Sequence, residues 1–332
     1  MTGAGVTDGE AAGAEAGEPP RRARWRWVFG FVALVLVAVI GTLALLRKPV
    51  VGHFIDETLR ARGVAARYEI AQIGLRTQRL TNVRIGDPAQ PDLLADWVEV
   101  DTSLWVTGAS VTAIRVGKVQ LRARLADGKV SFGAIDRLLP APSGKPFALP
   151  ALHAEIGDAW IALATPYGPV ALHVKGAGRL NDGFAGTVAA RAARLDAAGC
   201  RIDATAAALS IRIVKARPSL AGPVSVSQAR CNGASATGAR AELSVALSTT
   251  LDHWKGSARL AVAALETPTA RVRSIGGPIA FVGSTDDVSG TIDLQSGAFS
   301  ASGTNGSSAA LTGKYRYAGG FAFDGAARAR LQ

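Results

Sequence analysis

A metal centre or a general base would have to come from four histidines, His53, His153, His173 and His253, scattered along 332 residues. None falls in an H-E-x-x-H, an H-x-H or a His-Cys grouping, so no zinc donor set exists. His153 and His173 lie on or near neighbouring expected strands, but two imidazoles without a carboxylate at metal spacing are not a site. Two cysteines, Cys200 and Cys231, are too few for a zinc site. In an oxidising compartment such a pair is more often bridged than free. Closing a loop of that length would stabilise the fold by roughly 3 kcal/mol. There is no G-x-S-x-G elbow and no phosphate-binding loop, and Gly176-Ala177-Gly178 lacks the third glycine of a dinucleotide fingerprint. Asp286-Asp287 offers too few oxygens for calcium. The expectation is no catalytic residue, no metal and no cofactor.

The elements point to a membrane. Trp27 to Leu46 runs for twenty residues without a charge, and such a run crosses a hydrocarbon core of roughly 30 Å. It exceeds the apolar region of a secretory signal, and Leu45-Leu46-Arg47-Lys48 offers no small-x-small exit, so an uncleaved helix is expected. Arg21, Arg22, Arg24 and Arg26 outweigh Arg47 and Lys48, which keeps the N-terminus cytoplasmic and sends the remainder across the membrane. Residues 1–24 then read as a disordered tail, 25–47 as the anchor, and 48–63 as a juxtamembrane amphipathic helix. In that helix Val50, Val51, Phe54, Ile55 and Leu59 share a stripe, and Gly63 stops it.

From Tyr68 the period becomes two. Val119, Leu121, Ala123 and Leu125 alternate with Lys118, Gln120, Arg122 and Arg124, the mark of a sheet with one apolar and one wet face. Asp127-Gly128 signals a hairpin, and Phe132 to Leu139 a short helix stopped by Pro140. The stretch 64–140 forms one β module, 141–150 a Pro-rich break, and 151–332 a second run of strands. These are expected over 159–164, 170–175, 184–194, 201–206, 209–214, 224–229, 242–247, 258–264, 288–294, 311–317 and 321–328. The apolar positions are mostly Ala, Val, Leu and Ile, and aromatics make up only 6% of the chain. Arg328 to Gln332 ends inside an alternating strand without a cap, so the array of strands is expected to continue in further chain.

A formal charge of +11 raises nucleic acid as a partner. The basic residues, however, alternate singly with apolar ones and are not clustered with stacking aromatics, so a solvated basic face is the better reading, contact with anionic lipid headgroups is the alternative, and no nucleic-acid partner is expected.

Between Tyr68 and Pro140 the order of segments resembles a known family. Leu80 to Asp87 (LTNVRIGD) is followed by Leu94 to Asp101 (LADWVEVD), then Ile114-Arg115-Val116, Val119 to Ala123 (VQLRA), and Asp127 to Pro140 (DGKVSFGAIDRLLP). This resembles the opening module of AsmA-like proteins, in particular the YdbH-like branch related to TamB. The resemblance is good over residues 25–140 and general in style beyond; the Cys200–Cys231 pair and the Pro-rich break have no place in it. It implies a mainly β fold, in which the membrane helix leads into an elongated, twisted antiparallel β-groove carrying phospholipids between the inner and outer membranes. An outer-membrane or periplasmic protein partner is implied as well. The candidate groove-facing residues are Val83, Ile85, Val98, Val100, Val119, Leu121, Leu172, Val174, Leu209, Ile211, Leu243 and Val245. The alternative is that they pack against one another as an ordinary core. Two rival functions stand beside the carrier: a periplasmic β-scaffold or assembly factor that binds partner proteins, and a glycan-binding solenoid, which the scarcity of aromatics disfavours.

Overall fold

The computed structural model describes residue 57 and residues 59–332, apart from 75, 106–107, 127–128, 139–147, 198 and 285–286. The expected tail, the Trp27–Leu46 anchor, most of the juxtamembrane helix, the Asp127-Gly128 turn and most of the Pro-rich break lie outside the described residues. Among the described residues no helix is long and apolar enough to cross a membrane.

The strands are β1 (Ala66–Ile73), β2 (Thr77–Gly86), β3 (Pro91–Trp105), β4 (Gly108–Ala126) and the short β5 (Lys129–Ser131). A 3-10 helix (Gly133–Leu138) separates them from β6 (His153–Thr165), β7 (Gly168–Arg179), β8 (Asp182–Ala197), β9 (Cys200–Val214), β10 (Arg217–Cys231) and β11 (Ala234–Leu247). Then come β12 (His253–Glu266), β13 (Ala270–Ser284), β14 (Val288–Ser296), β15 (Phe299–Ala301), β16 (Thr304–Tyr317) and β17 (Phe321–Leu331). All belong to one sheet. Each long strand pairs with the next by antiparallel hairpin, except that β4 and β6 pair in parallel, Ala113 with His153 through Arg124 with Ala164. The parallel step follows from the intervening segment, which must return to the start of β4 before β6 can begin.

That segment also supplies a lid. Ile135 is fully buried, and Leu138, Phe132, Leu149 and Leu152 are covered with it. Asp92 Oδ2 accepts the Ala134 amide at 2.8 Å, tying the 3-10 helix to β3. Arg137 donates to the Gly63 carbonyl at 2.6 Å, and Arg62 to the Leu138 carbonyl at 3.1 Å, which docks residues 62–63 on the same lid. A closed core results under β2, β3, β4 and the start of β6, and it continues to Leu180, Phe184, Ile211 and Ile213.

Beyond this core the strands alternate between exposed and half-buried residues, with few fully covered side chains. One irregularity crosses them in line. Ala204 on β9, Gly238 on β11 and Ser274 on β13 have φ of +50°, +62° and +53°. They face Ala193, Ser227 and Ala263 on the strands between, each within a gap in the pairing. A left-handed backbone costs about 1 kcal/mol or more for a residue with a Cβ, so its recurrence on alternate strands at one level makes it a feature of the sheet. Each such residue advances the inward positions by three instead of two. Ala192, Val226, Ala239, Val262 and Ile275 are inward on one side, and Leu195, Ala229, Ala236, Leu265 and Val272 on the other.

Cys200 and Cys231 stand opposite each other at the end of the β9–β10 pair and form a disulfide. Reduction is expected to lower the unfolding free energy by about 3 kcal/mol. Denaturant titration with and without a thiol reductant would measure it, and coincident curves would show the bridge to be dispensable.

The strands are longer than the alternation suggested. The expected strands at 201–206 and 209–214 are one strand, β9, and the expected 224–229 and 242–247 cover less than half of β10 and β11. No strand was expected between 264 and 288, where β13 lies. Its Gly276-Gly277-Pro278 reads as a break in sequence but lies within the paired strand.

Candidate functional site

Cross-strand pairing arranges the apolar residues in rows perpendicular to the strands. One row runs Val83–Ala95–Val119–Ala159–Val174–Val188–Leu209 through β2, β3, β4 and β6 to β9. It continues on the same face as Gly222–Leu243–Ala258–Ile279–Ile292. A row on one side runs Ile85–Leu93–Leu121–Ile161–Leu172–Ala190–Ala207–Val224–Ala241–Leu260. On the other side Val98–Val116–Ile156–Gly176–Gly186–Ile211–Leu220–Val245 leads to Gly256–Phe281–Gly290–Tyr315. Val100 belongs to the next row out, with Ile114 and Ala154.

All twelve candidate residues therefore lie on one face of one sheet. Their surroundings divide them. Val83, Ile85, Val98, Val100, Val119, Leu121 and Ile211 are 3–9% exposed and belong to the closed core. Leu172, Val174, Leu209, Leu243 and Val245 are half-buried; Val174 packs against the edge of that core, and the other four lie outside it. The candidate set missed the continuation of the rows through Val224, Leu260, Ile279, Ile292, Leu294 and Leu311. The signal was present in Trp254-Lys-Gly-Ser-Ala-Arg-Leu-Ala-Val262, which alternates as cleanly as the segment at Lys118.

The inner face is graded. Towards the line of left-handed residues it is Ala, Val, Leu and Ile. In the two rows at the opposite strand ends stand Trp254, Phe281, Tyr315, Tyr317, Phe321 and Phe323. A Cβ on Gly256 would sit 2.7 Å from Phe281 Cζ, so the glycine lets the ring lie over the neighbouring strand. Burial pushes the Tyr315 hydroxyl pKa up.

The strand ends make two rims. The first carries residues 166–167, 199, 232–233 and 267–269, and the second residues 180–181, 215–216, 248–252, 287 and 318–320. On the first, Arg201 meets Asp196 at 3.5 Å, Arg230 meets Asp203 at 3.4 Å, Arg194 meets Asp203 at 3.7 Å, and Arg271 meets Glu266 at 3.8 Å. On the second, Asp252 accepts from Thr250 at 2.5 Å and from Ser248 at 2.8 Å, and lies 2.9 Å from His253 Nδ1; these bonds hold its carboxyl well below the usual range. A cleft of about 890 Å³ opens there, across β9 to β14.

The outer face carries the charges: Lys175, Arg191, Arg212, Arg240, Glu242, Arg259 and Lys314 are all exposed. Arg115 bridges Asp101 at 2.8 Å and Glu99 at 3.0 Å, and the bond to Asp101 leads the upward shift of its pKa. His173 bonds Asp158 at 2.5 Å and stacks on Trp160 at 4.1 Å between centroids, and the His173 bond lowers the Asp158 pKa. His153 stands opposite Arg179, six positions along β7 from His173, so the two imidazoles do not converge. Among the described residues no group of three or more metal-ligating side chains is present.

A family model described as YdbH-like, intermembrane phospholipid transport protein YdbH, matches residues 33–327. No curated protein and no solved structure matches the chain.

Proposed function

The chain belongs to the YdbH-like family of intermembrane phospholipid transport proteins, and from that membership we propose that it is a bridge-like carrier whose half-buried apolar rows hold acyl chains between the inner and outer membranes. The observation that supports this reading most is the row through Leu209, Gly222, Leu243, Ala258 and Ile279, apolar or glycine at every step, half-buried throughout and outside the closed core. An acyl chain in water costs about 0.8 kcal/mol per CH₂, so a carrier needs apolar surface without a gap. With strands about 4.8 Å apart, β7 to β17 give roughly 40 Å of it.

In this reading Trp27–Leu46 is a single-pass inner-membrane anchor with the N-terminus cytoplasmic, the sheet is periplasmic, and a partner at the outer membrane receives the lipid. The protein acts by solvation and not as an enzyme. A scaffold that only docks proteins would be expected to close its inner face with packed side chains, and the open rows beyond β7 favour the carrier.

Photocrosslinking in living cells tests it. A photoreactive residue at Leu172 or Leu209 is expected to yield phospholipid adducts. One at exposed Lys175 is expected to yield none, and one at Leu121 none either, because the core covers it. Equal labelling at Lys175, or no lipid at Leu172 and Leu209, would reject the carrier.

A further inference from the structure

The closed core does not end squarely across the sheet. On the second-rim side it runs through Leu152, Leu180 and Phe184 to Ile211 and Ile213, the inner residues near the end of β9. On the first-rim side it stops at β6, where Ile161 and Leu163 pack against it. Leu172 on β7, Ala190 and Leu195 on β8 and Ala207 on β9 are half-buried and outside it. The cause is the path of the chain. β4 and β5 meet at the first-rim end of β6, so the segment after β5 must return to the second rim before β6 can start. Its last residues stay there: Leu149 and Leu152 are buried, and the Leu152 carbonyl accepts the Leu180 amide at 2.9 Å.

The lid closes the end of the sheet nearest the anchor sequence. Leu59 and Val64 lie in the same core as Ile135, and the 3-10 helix is fastened to β3 through Asp92 and to Gly63 through Arg137. A lipid coming from that end meets packed side chains over β2 to β4, and the inner face first opens at β7.

An aromatic residue stands at this opening. Tyr167, in the turn between β6 and β7, is 52% exposed. Its turn is held firmly: the Tyr167 amide donates to Thr165 Oγ1 at 3.1 Å, Thr165 Oγ1 donates to the Gly168 carbonyl at 2.6 Å, and the Tyr167 carbonyl accepts the Asp196 amide at 2.7 Å. A Cβ on Gly168 would lie 3.5 Å from Leu195 Cδ2, so Leu195 reaches across to the same turn. Tyrosine settles where an apolar phase meets water, with the ring in one and the hydroxyl in the other.

Resting on the carrier reading, we propose that phospholipids board sideways, acyl chains first, over the first rim between β6 and β9, past Tyr167 and on to Leu172, Ala190 and Ala207, while the lid is a fixed plug. The occupant is the hydrocarbon of a diacyl lipid. This stretch of the inner face carries aliphatic side chains and no charge, and its row continues through Val224 and Ala241 to Leu260.

The test uses the full chain reconstituted in vesicles of phosphatidylethanolamine and phosphatidylglycerol that contain a lipid photoreactive at its acyl terminus, with adducts mapped by mass spectrometry over time. In the native protein, adducts are expected first on Leu172 and Ala190, then on Leu260, and none on Phe184 or Ile213. Leu172→Asp should lower labelling at Leu260 by about tenfold or more, because each boarding chain must pass a carboxylate. Ala171→Asp, exposed on the opposite face, should leave it unchanged. Asp92→Ala frees the 3-10 helix from β3 and should not speed labelling at Leu260. Circular dichroism establishes the fold of each variant, and the native adduct map decides the route if a variant fails to fold. Adducts on Phe184 and Ile213 equal to those on Leu172, or faster labelling in Asp92→Ala, would mean entry beneath the lid; the sideways route would fall and the carrier would stand. Full labelling of Leu260 in a folded Leu172→Asp protein would do the same. Adducts at none of these positions would remove the carrier reading, and the route with it.

Discussion

Leu243→Asp is expected to stop lipid passage without unfolding the protein. Leu243 is half-buried in the apolar row that runs to Ile279 and Ile292, between Gly222 and Ala258 on the flanking strands. A carboxylate there remains within reach of water when the face is empty, so folding has little desolvation to overcome. When an acyl chain arrives, the same carboxylate faces hydrocarbon. Placing an ionised Asp in such surroundings costs about 2.5–3.5 kcal/mol, which is roughly a hundredfold in occupancy of that segment. Lipids that must pass each strand in turn would meet one barrier that none can avoid. The adjacent Ser244 is exposed on the opposite face, so Ser244→Asp adds the same charge one residue away and should transfer lipid as the native protein does. The measurement is transfer of a fluorescent phospholipid between donor and acceptor vesicles by the full chain, with circular dichroism to establish the fold. A folded Leu243→Asp protein that transfers normally would mean that lipid does not travel along this row.

Which side chains share a face was legible in the sequence, because a strand's period of two is read directly from polarity. All twelve candidate residues lie on one face for that reason. Whether a face is covered was not legible. Val119 and Leu209 occur in equally clean alternation, yet one lies under the lid formed by Phe132, Ile135 and Leu138 and the other does not. That difference depends on a segment distant in sequence returning over β2 to β4. The length of the strands was hidden for another reason. A left-handed residue at Ala204 or Ser274 shifts the inward phase by one position, and an alternation count then ends a strand that in fact continues. Such residues are ordinary in type, and only their shared level on neighbouring strands reveals them. The grading towards the second rim was obscured similarly, since Trp254, Phe281 and Tyr315 are far apart in the chain and meet only through pairing.

Where the closed core ends decides how much of the sheet is available to lipid, and two alanine substitutions place that boundary. Ile135 is 0% exposed and holds the 3-10 helix against the core with Leu138. Ile135→Ala removes three carbons from a site packed on all sides, so both the transfer free energy and the cavity count against it. The expected loss is about 2–5 kcal/mol. Leu243→Ala removes the same number of carbons from a side chain that water already reaches. No enclosed cavity forms, and the expected loss is below about 1 kcal/mol. Hydrogen exchange read by mass spectrometry separates the two regions. Ile135→Ala should speed exchange in β2, β3 and β4 while sparing β11 to β13, and Leu243→Ala should change little anywhere. If Leu243→Ala instead matched Ile135→Ala in its cost, the inner face beyond β7 would be a packed interior. The rows would then be a core that happens to be continuous, with no room for an acyl chain between them and solvent.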